Sequence, residues 1–127
     1  EAIDMLQALN TGHDGSLSTG HANSPKDMLS RLESMVLMGM DLPLGAVQRQ
    51  IASGIDIIVH LGRLRDKSRK VLEVSEILGY QDGEILVSPL YRFEETGEKD
   101  GKIQGTWRKM DDLVHTQKLL AAGYKEV

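Results

Sequence analysis

The chain has 127 residues, 15 of them Lys or Arg and 19 Asp or Glu, for a formal charge of −4. With 40% apolar and 27% charged residues it fits one globular domain, and its acidic balance argues against a dedicated nucleic-acid binder. The absence of cysteine excludes a disulfide framework and any thiolate zinc site, and no apolar run approaches the ~20 residues of a membrane span. No signal-like segment opens the chain; it starts at Glu1 without Met, already in a helical pattern, and is expected to be a piece of something longer.

Taken in chain order, the first 54 residues read as helices and the rest mostly as strands. Ala2, Met5, Leu6 and Leu9 recur at helical spacing, and Asn10-Thr11-Gly12 ends that helix. Ser16 to Thr19 is expected as a short buried strand. Ser24-Pro25-Lys26-Asp27 is a helix start: Ser24 caps, Pro25 fits the first helical position, and Asp27 reaches back to the cap. Met28, Leu29, Leu32, Met35 and Val36 form the buried stripe, and Gly39 closes the helix. Met28, Met35, Met38 and Met40 are expected to fill gaps in a core or an interface. A further helix starts at Pro43, with Leu44, Val47, Ile51 and Ile55 on one face.

From Asp56 the pattern alternates. Ile57, Val59 and Leu61 mark one strand, and Asp66-Lys67-Ser68 a turn. Val71–Leu78 and Ile85–Phe93 are β-rich around the turn at Asp82-Gly83, and Pro89 belongs at an edge or a bulge. Glu94 to Gly101 reads as a charged loop and Ile103 to Arg108 as a last strand, in which Trp107 is expected to anchor the core. Asp111 is expected to cap a final helix running to about Ala122.

The chemistry concentrates in Gly12-His13-Asp14-Gly15-Ser16-Leu17-Ser18-Thr19-Gly20-His21-Ala22-Asn23. Two imidazoles, several hydroxyls and three glycines lie just ahead of a capped helix. In α/β sheets ligands bind outside the carboxyl ends of strands, near helix N-termini. Thr19, His21 and Asn23 would project there, and an imidazole can donate to a phosphate oxygen. A solvated or capping role for these histidines remains open. The spacing of His13, Asp14 and His21 matches no zinc signature, so no metal is expected.

The run Glu1-Ala2-Ile3-Asp4-Met5-Leu6-Gln7-Ala8-Leu9-Asn10-Thr11-Gly12-His13-Asp14-Gly15-Ser16, followed by Thr19, His21, Ala22 and Asn23, resembles the ATPases that drive pilus assembly and type II and type IV secretion. The closest likeness is to the CpaF/TadA-type ATPases of tight-adherence pili. The similarity continues through Arg31-Leu32-Glu33, Arg49-Gln50-Ile51-Ala52-Ser53 and Ile55-Asp56-Ile57-Ile58-Val59, then loosens.

That resemblance implies an α/β fold: the C-terminal part of a RecA-like P-loop NTPase domain. Its helices fall in the first half and its antiparallel β-hairpins in the second, and it ends in a helix. It implies that all 127 residues belong to the C-terminal portion of a motor domain. The whole motor would be a homohexamer in the cytoplasm, peripheral at the inner membrane, using ATP and Mg²⁺ and docking on a membrane platform protein, with no nucleic-acid partner. The segment with Gly12, His13, Asp14, Gly15, Ser16, Thr19 and His21 corresponds to the family's histidine box. There Thr19, His21 and Asn23 would face nucleotide, and His21 would be the catalytic group. Arg31, Arg49 and Arg63 become candidates for subunit contacts.

The family's phosphate loop, Gly-x-x-x-x-Gly-Lys-Ser/Thr, does not occur in this sequence, and neither does its acidic magnesium motif. This chain by itself is therefore expected to be inactive and to bind ATP weakly. The alternative reading is a non-catalytic module that assembles a ring or docks on the platform. Residues 60–70, with five Arg or Lys against Asp66, form the one basic cluster. It reads as a solvated hairpin tip, a subunit contact or a membrane-side contact.

Overall fold

A computed structural model describes residues 19–39 and 41–125. Two helices are followed by four strands and a short helix: α1 (Pro25–Gly39), α2 (Leu44–Gly54), β1 (Ile57–Arg63), β2 (Arg69–Gln81), β3 (Glu84–Lys99), β4 (Lys102–Lys109) and α3 (Gln117–Ala121). The expected α/β class holds, with helices first and one four-stranded antiparallel sheet, order β1-β2-β3-β4, after them. The expected helix over residues 2–9 and most of the strand at Ser16–Thr19 lie outside the described residues; Thr19 itself is not in a strand.

The described residues form two compact units. Unit 1 holds those up to Asp56 together with Ile77–Val87, and unit 2 holds Ile57–Glu76 with those from Ser88 onward. In unit 1, α1 packs on α2. Leu29, Leu32, Val36, Val47, Ile51 and Ile77 are its buried apolar residues. The i, i+3 and i+7 spacing of Leu29, Leu32 and Val36 on α1 turns one stripe inward, and burying each such side chain contributes about 1.5–3 kcal/mol. Gln48, also buried, donates to Glu33 at 3.4 Å and ties the two helices together. Met35, expected on the buried stripe, is 47% exposed, and Met38 is 88% exposed, so neither belongs to the core of this unit. Leu44 is likewise half exposed.

In unit 2 the register follows from the turns. Lys67 closes the β1–β2 turn in the left-handed region (φ 69°), with its N–H bonded to Leu64 C=O and the Leu64 N–H to Ser68 C=O. Between β3 and β4, Asp100 (φ 53°) and Gly101 (φ 76°) make a two-residue turn with both φ positive, the type that matches strand twist. In unit 1, Asp82 and Gly83 make the same kind of turn between β2 and β3.

Three expectations need correction here. Glu94 to Gly101 is not a loop: β3 runs to Lys99, and Tyr91–Lys99 pair with β4. The final helix covers only Gln117–Ala121, because the Val114 and His115 amides bond to the Glu76 carboxylate on β2 instead of opening a helix. Trp107 is half exposed; it stacks edge-on against Phe93 (5.4 Å between centroids) and its indole N–H donates to Val71 C=O at 2.6 Å. Pro89 lies on β3 outside the β3–β4 register, which starts at Tyr91.

Candidate functional site

The site expected around the histidines is described from Thr19 onward. Gly12, His13, Asp14, Gly15 and Ser16 lie outside the described residues. Thr19, His21 and Asn23 are all exposed, on irregular backbone leading into α1. Gly20 lies against Met28 of α1: a Cβ there would come within 2.3 Å of the thioether methyl carbon, which would have to swing aside.

What fixes the segment is the capping box the sequence announces. The Asp27 amide donates to Ser24 Oγ at 3.0 Å, and the Asn23 amide donates to Asp27 Oδ2 at 3.0 Å. The Met28 amide closes the first turn on Ser24 C=O. One of the N–H groups that a helix start leaves unpaired is thereby satisfied, and the backbone of Asn23, two residues after His21, is pinned to the helix. Arg31 reaches the same carboxylate at 3.3 Å, one turn along.

The chemistry follows. The positive end of α1 favours negative charge, and His21 is exposed on the irregular backbone that leads into that end. Asp27 already supplies one carboxylate there, itself offset by Arg31. Among the described residues no cluster of His, Cys, Asp and Glu can hold a metal ion.

The three arginines singled out for subunit contacts fall in different places. Arg31 is on α1 in the exposed pair with Asp27, which as an isolated surface pair is worth ~0–1 kcal/mol. Arg49 lies over the Tyr80 ring, 5.1 Å from its centroid. Together with Ala52, Ser53 and Gly79 they line an open concavity of about 260 Å³ in unit 1. Arg63 belongs to unit 2, at the end of β1, directly opposite Arg69 in the register.

Sequence reasoning missed two polar constellations in unit 2. One is Glu76, 1% exposed, holding the Val114 and His115 amides. The other joins the β1–β2 turn to the β3–β4 hairpin. Arg65 makes a forked pair with Glu95, 2.8 Å at one arm, and reaches Glu98 at 3.4 Å. The Asp66 carboxylate accepts from the Ser68 amide and hydroxyl and, at 2.8 Å, from the Ile103 amide. Those hydrogen bonds, the Ser68 hydroxyl foremost, pull the Asp66 carboxyl down to about 2. Glu95 is lowered as well by its bond to Arg65. The run of alternating charge at 63–70, with Glu95 and Glu98 as its partners, was the available signal.

Comparison with known proteins gives the family. The model of the type II/IV secretion system protein family matches residues 1–115. A conjugal transfer protein of Mycobacterium tuberculosis is 34% identical over 85 residues, covering 67% of this chain and 24% of that protein. The conjugal transfer protein TrbB of Rhizobium radiobacter is 33% identical over 94 residues, 74% of this chain and 28% of its own length. The type IV secretion system protein PtlH of Bordetella pertussis is 35% identical over 88 residues, 65% and 25% respectively. This chain thus spans about a quarter of the length of these relatives. By a match over most of its length, the chain belongs to the type II/IV secretion system protein family.

Proposed function

We propose that this chain is the C-terminal portion of the motor domain of an ATP-hydrolysing machine that drives secretion or pilus assembly across the bacterial envelope. The observation that carries the reading is the family match over residues 1–115, with His21 falling directly ahead of a capped helix. Within the family, the resemblance of residues 1–23 favours the CpaF/TadA-type tight-adherence branch. The working assembly is a hexamer in the cytoplasm, peripheral at the inner membrane and docked on a platform protein. ATP and Mg²⁺ are held largely by upstream parts of the parent, since the sequence carries no phosphate loop.

In this reading His21 donates from its ring nitrogen to the phosphate that carries growing negative charge, and Thr19 and Asn23 hold the loop by hydrogen bonding. Phosphoryl transfer depends chiefly on positioning and charge stabilisation, which is what an exposed imidazole on a pinned segment supplies. Loss of the phosphate removes His21's partner, and the capping box passes that change to α1 through Asn23 and Asp27. Hydrolysis does work only by biasing an element with two arrangements, and α1 is the element in reach.

The test uses the full-length parent protein. His21→Ala should lower steady-state turnover by about 10²–10³, the usual cost of losing one such donor, while nucleotide affinity changes little. His13→Ala should cost less. Near-normal turnover in His21→Ala would reduce the residue to a loop histidine. Calorimetric titration of the 127-residue chain with ATP·Mg²⁺ should show no site; micromolar binding would favour a complete site in this chain and sink the motor-portion reading.

A further inference from the structure

Arg31, Arg65, Arg92 and Arg108 each lie beside a carboxylate. Arg49 does not. Its guanidinium lies over the Tyr80 ring, 5.1 Å from the centroid, and no carboxylate pairs with it among the described residues. An aromatic ring against the flat side of a guanidinium orders the side chain while the N–H edge stays open to an acceptor. An arginine ordered in advance gives up less freedom when it binds.

This stack forms one wall of the concavity in unit 1 that Ala52, Ser53 and Gly79 complete. Gly79 brings only backbone to it, and a Cβ there would meet no atom within 4 Å. Ser53, exposed near the end of α2, adds a hydroxyl. The lining thus carries one positive charge and no negative one.

We propose that this concavity is a receptor site for a carboxylate on an acidic segment of a protein partner. Charge, size and geometry select that guest. One guanidinium balances one carboxylate, which its N–H fork meets with two parallel hydrogen bonds, whereas a phosphate group carries about −1.5 to −2. A volume of about 260 Å³ is smaller than the roughly 300–1,000 Å³ of a small-molecule site and suits a single inserted side chain. A nucleic acid would be repelled by a chain of net charge −4. Arginine and tyrosine side by side are also the residue types in which the binding energy of protein interfaces concentrates. The site goes beyond the motor reading, since it needs neither nucleotide nor His21.

The test is fluorescence anisotropy of a fluorescein-labelled hexaglutamate peptide with the full-length parent, without nucleotide. Saturable binding is expected. Arg49→Met should weaken it about tenfold or more, and Arg49→Lys, which keeps the charge but loses the fork, should recover only part. Tyr80 is a positioning residue: Tyr80→Leu should weaken binding with Arg49 still present, and Tyr80→Phe, which keeps the ring, should bind as the unaltered parent does. Arg63→Met, the same charge change in unit 2, should leave binding unchanged. Arg49 is exposed, so its substitution is not expected to unfold the chain, and the Arg49→Lys and Tyr80→Phe variants carry the test should Arg49→Met fail to fold. No saturable binding, undiminished binding by Arg49→Met, full binding by Arg49→Lys, or equal weakening by Arg63→Met overturns the proposal. Displacement by inorganic phosphate as effective as by unlabelled peptide assigns the site to a free oxyanion, and a changed assembly size of Arg49→Met in ultracentrifugation assigns it to a second copy; both also overturn it. ATP turnover measured without peptide keeps the readings apart: intact turnover with no peptide binding fails the receptor site alone, whereas a parent without turnover fails the motor reading.

Discussion

Glu76 is the buried carboxylate that ties the segment after β4 to β2 in unit 2. Its side chain is 1% exposed, and the Val114 and His115 amides, at 2.8 and 2.9 Å, each bond one of its two oxygens. Two successive backbone N–H groups make a small anion cradle, here filled by the protein itself. Glu76→Gln can keep only one of these bonds, because the amide nitrogen would face an N–H. The expected cost is about 1–3 kcal/mol in urea unfolding, with faster hydrogen exchange at residues 114 and 115. An unchanged exchange rate there would contradict the arrangement. Lys67 predicts the opposite sign. Lys67→Gly removes left-handed strain and should stabilise by up to about 1 kcal/mol, whereas Lys67→Ala should not. No gain from glycine would mean that the turn is relaxed with a side chain in place.

At the scale of elements, the structure depends on a few closures. Ser24 closes α1, and Ser24→Ala should cost about 1 kcal/mol of thermal stability, with less helix by circular dichroism. Gly105 lets β4 approach β3: a Cβ there would lie 2.4 Å from the Glu94 carbonyl oxygen and 2.5 Å from the Phe93 ring. Gly105→Ala should therefore cost about 1–3 kcal/mol and disturb the Trp107–Phe93 stack, which tryptophan fluorescence reads. These elements were unequally legible. α1 was readable to the residue because cap, proline and apolar stripe agree. The outer half of β3 was not, since Glu94, Glu95, Glu98 and Lys99 are exposed and give no alternation. The Asp100-Gly101 pair, the same signal read correctly at Asp82-Gly83, marked the hairpin but was absorbed into a loop. The helix expected from Asp111 fails for a reason no local pattern contains, a carboxylate some 38 residues away taking its first amides. The candidate site was legible as far as the capping box, because Ser24, Pro25 and Asp27 carry a local signal.

At the scale of the whole molecule, the division into two units has a consequence for pH. The carboxyls pulled below their ordinary values, Asp66 to about 2 and Glu95 and Asp112 in the same direction, all belong to unit 2. A carboxyl lowered on folding stabilises fully above its unfolded value, about 3.8 for Asp66, and that contribution disappears as pH falls toward the folded value near 2. Between about pH 4 and 2, protonation therefore loosens the clamp between the two hairpin tips, where Arg65 loses Glu95 and the Ile103 and Ser68 amides lose Asp66. The two main helices, α1 and α2, lie in unit 1, and the single tryptophan, Trp107, in unit 2. The two units thus have separate optical reporters. On acid titration the Trp107 emission should shift at a higher pH than the helical signal at 222 nm collapses. Asp66→Asn, which keeps an acceptor but removes the titrating carboxyl, should shrink the Trp107 change in that window while lowering stability at neutral pH. Coincident transitions in the wild-type chain would show that the units unfold together and that the clamp does not set the acid limit.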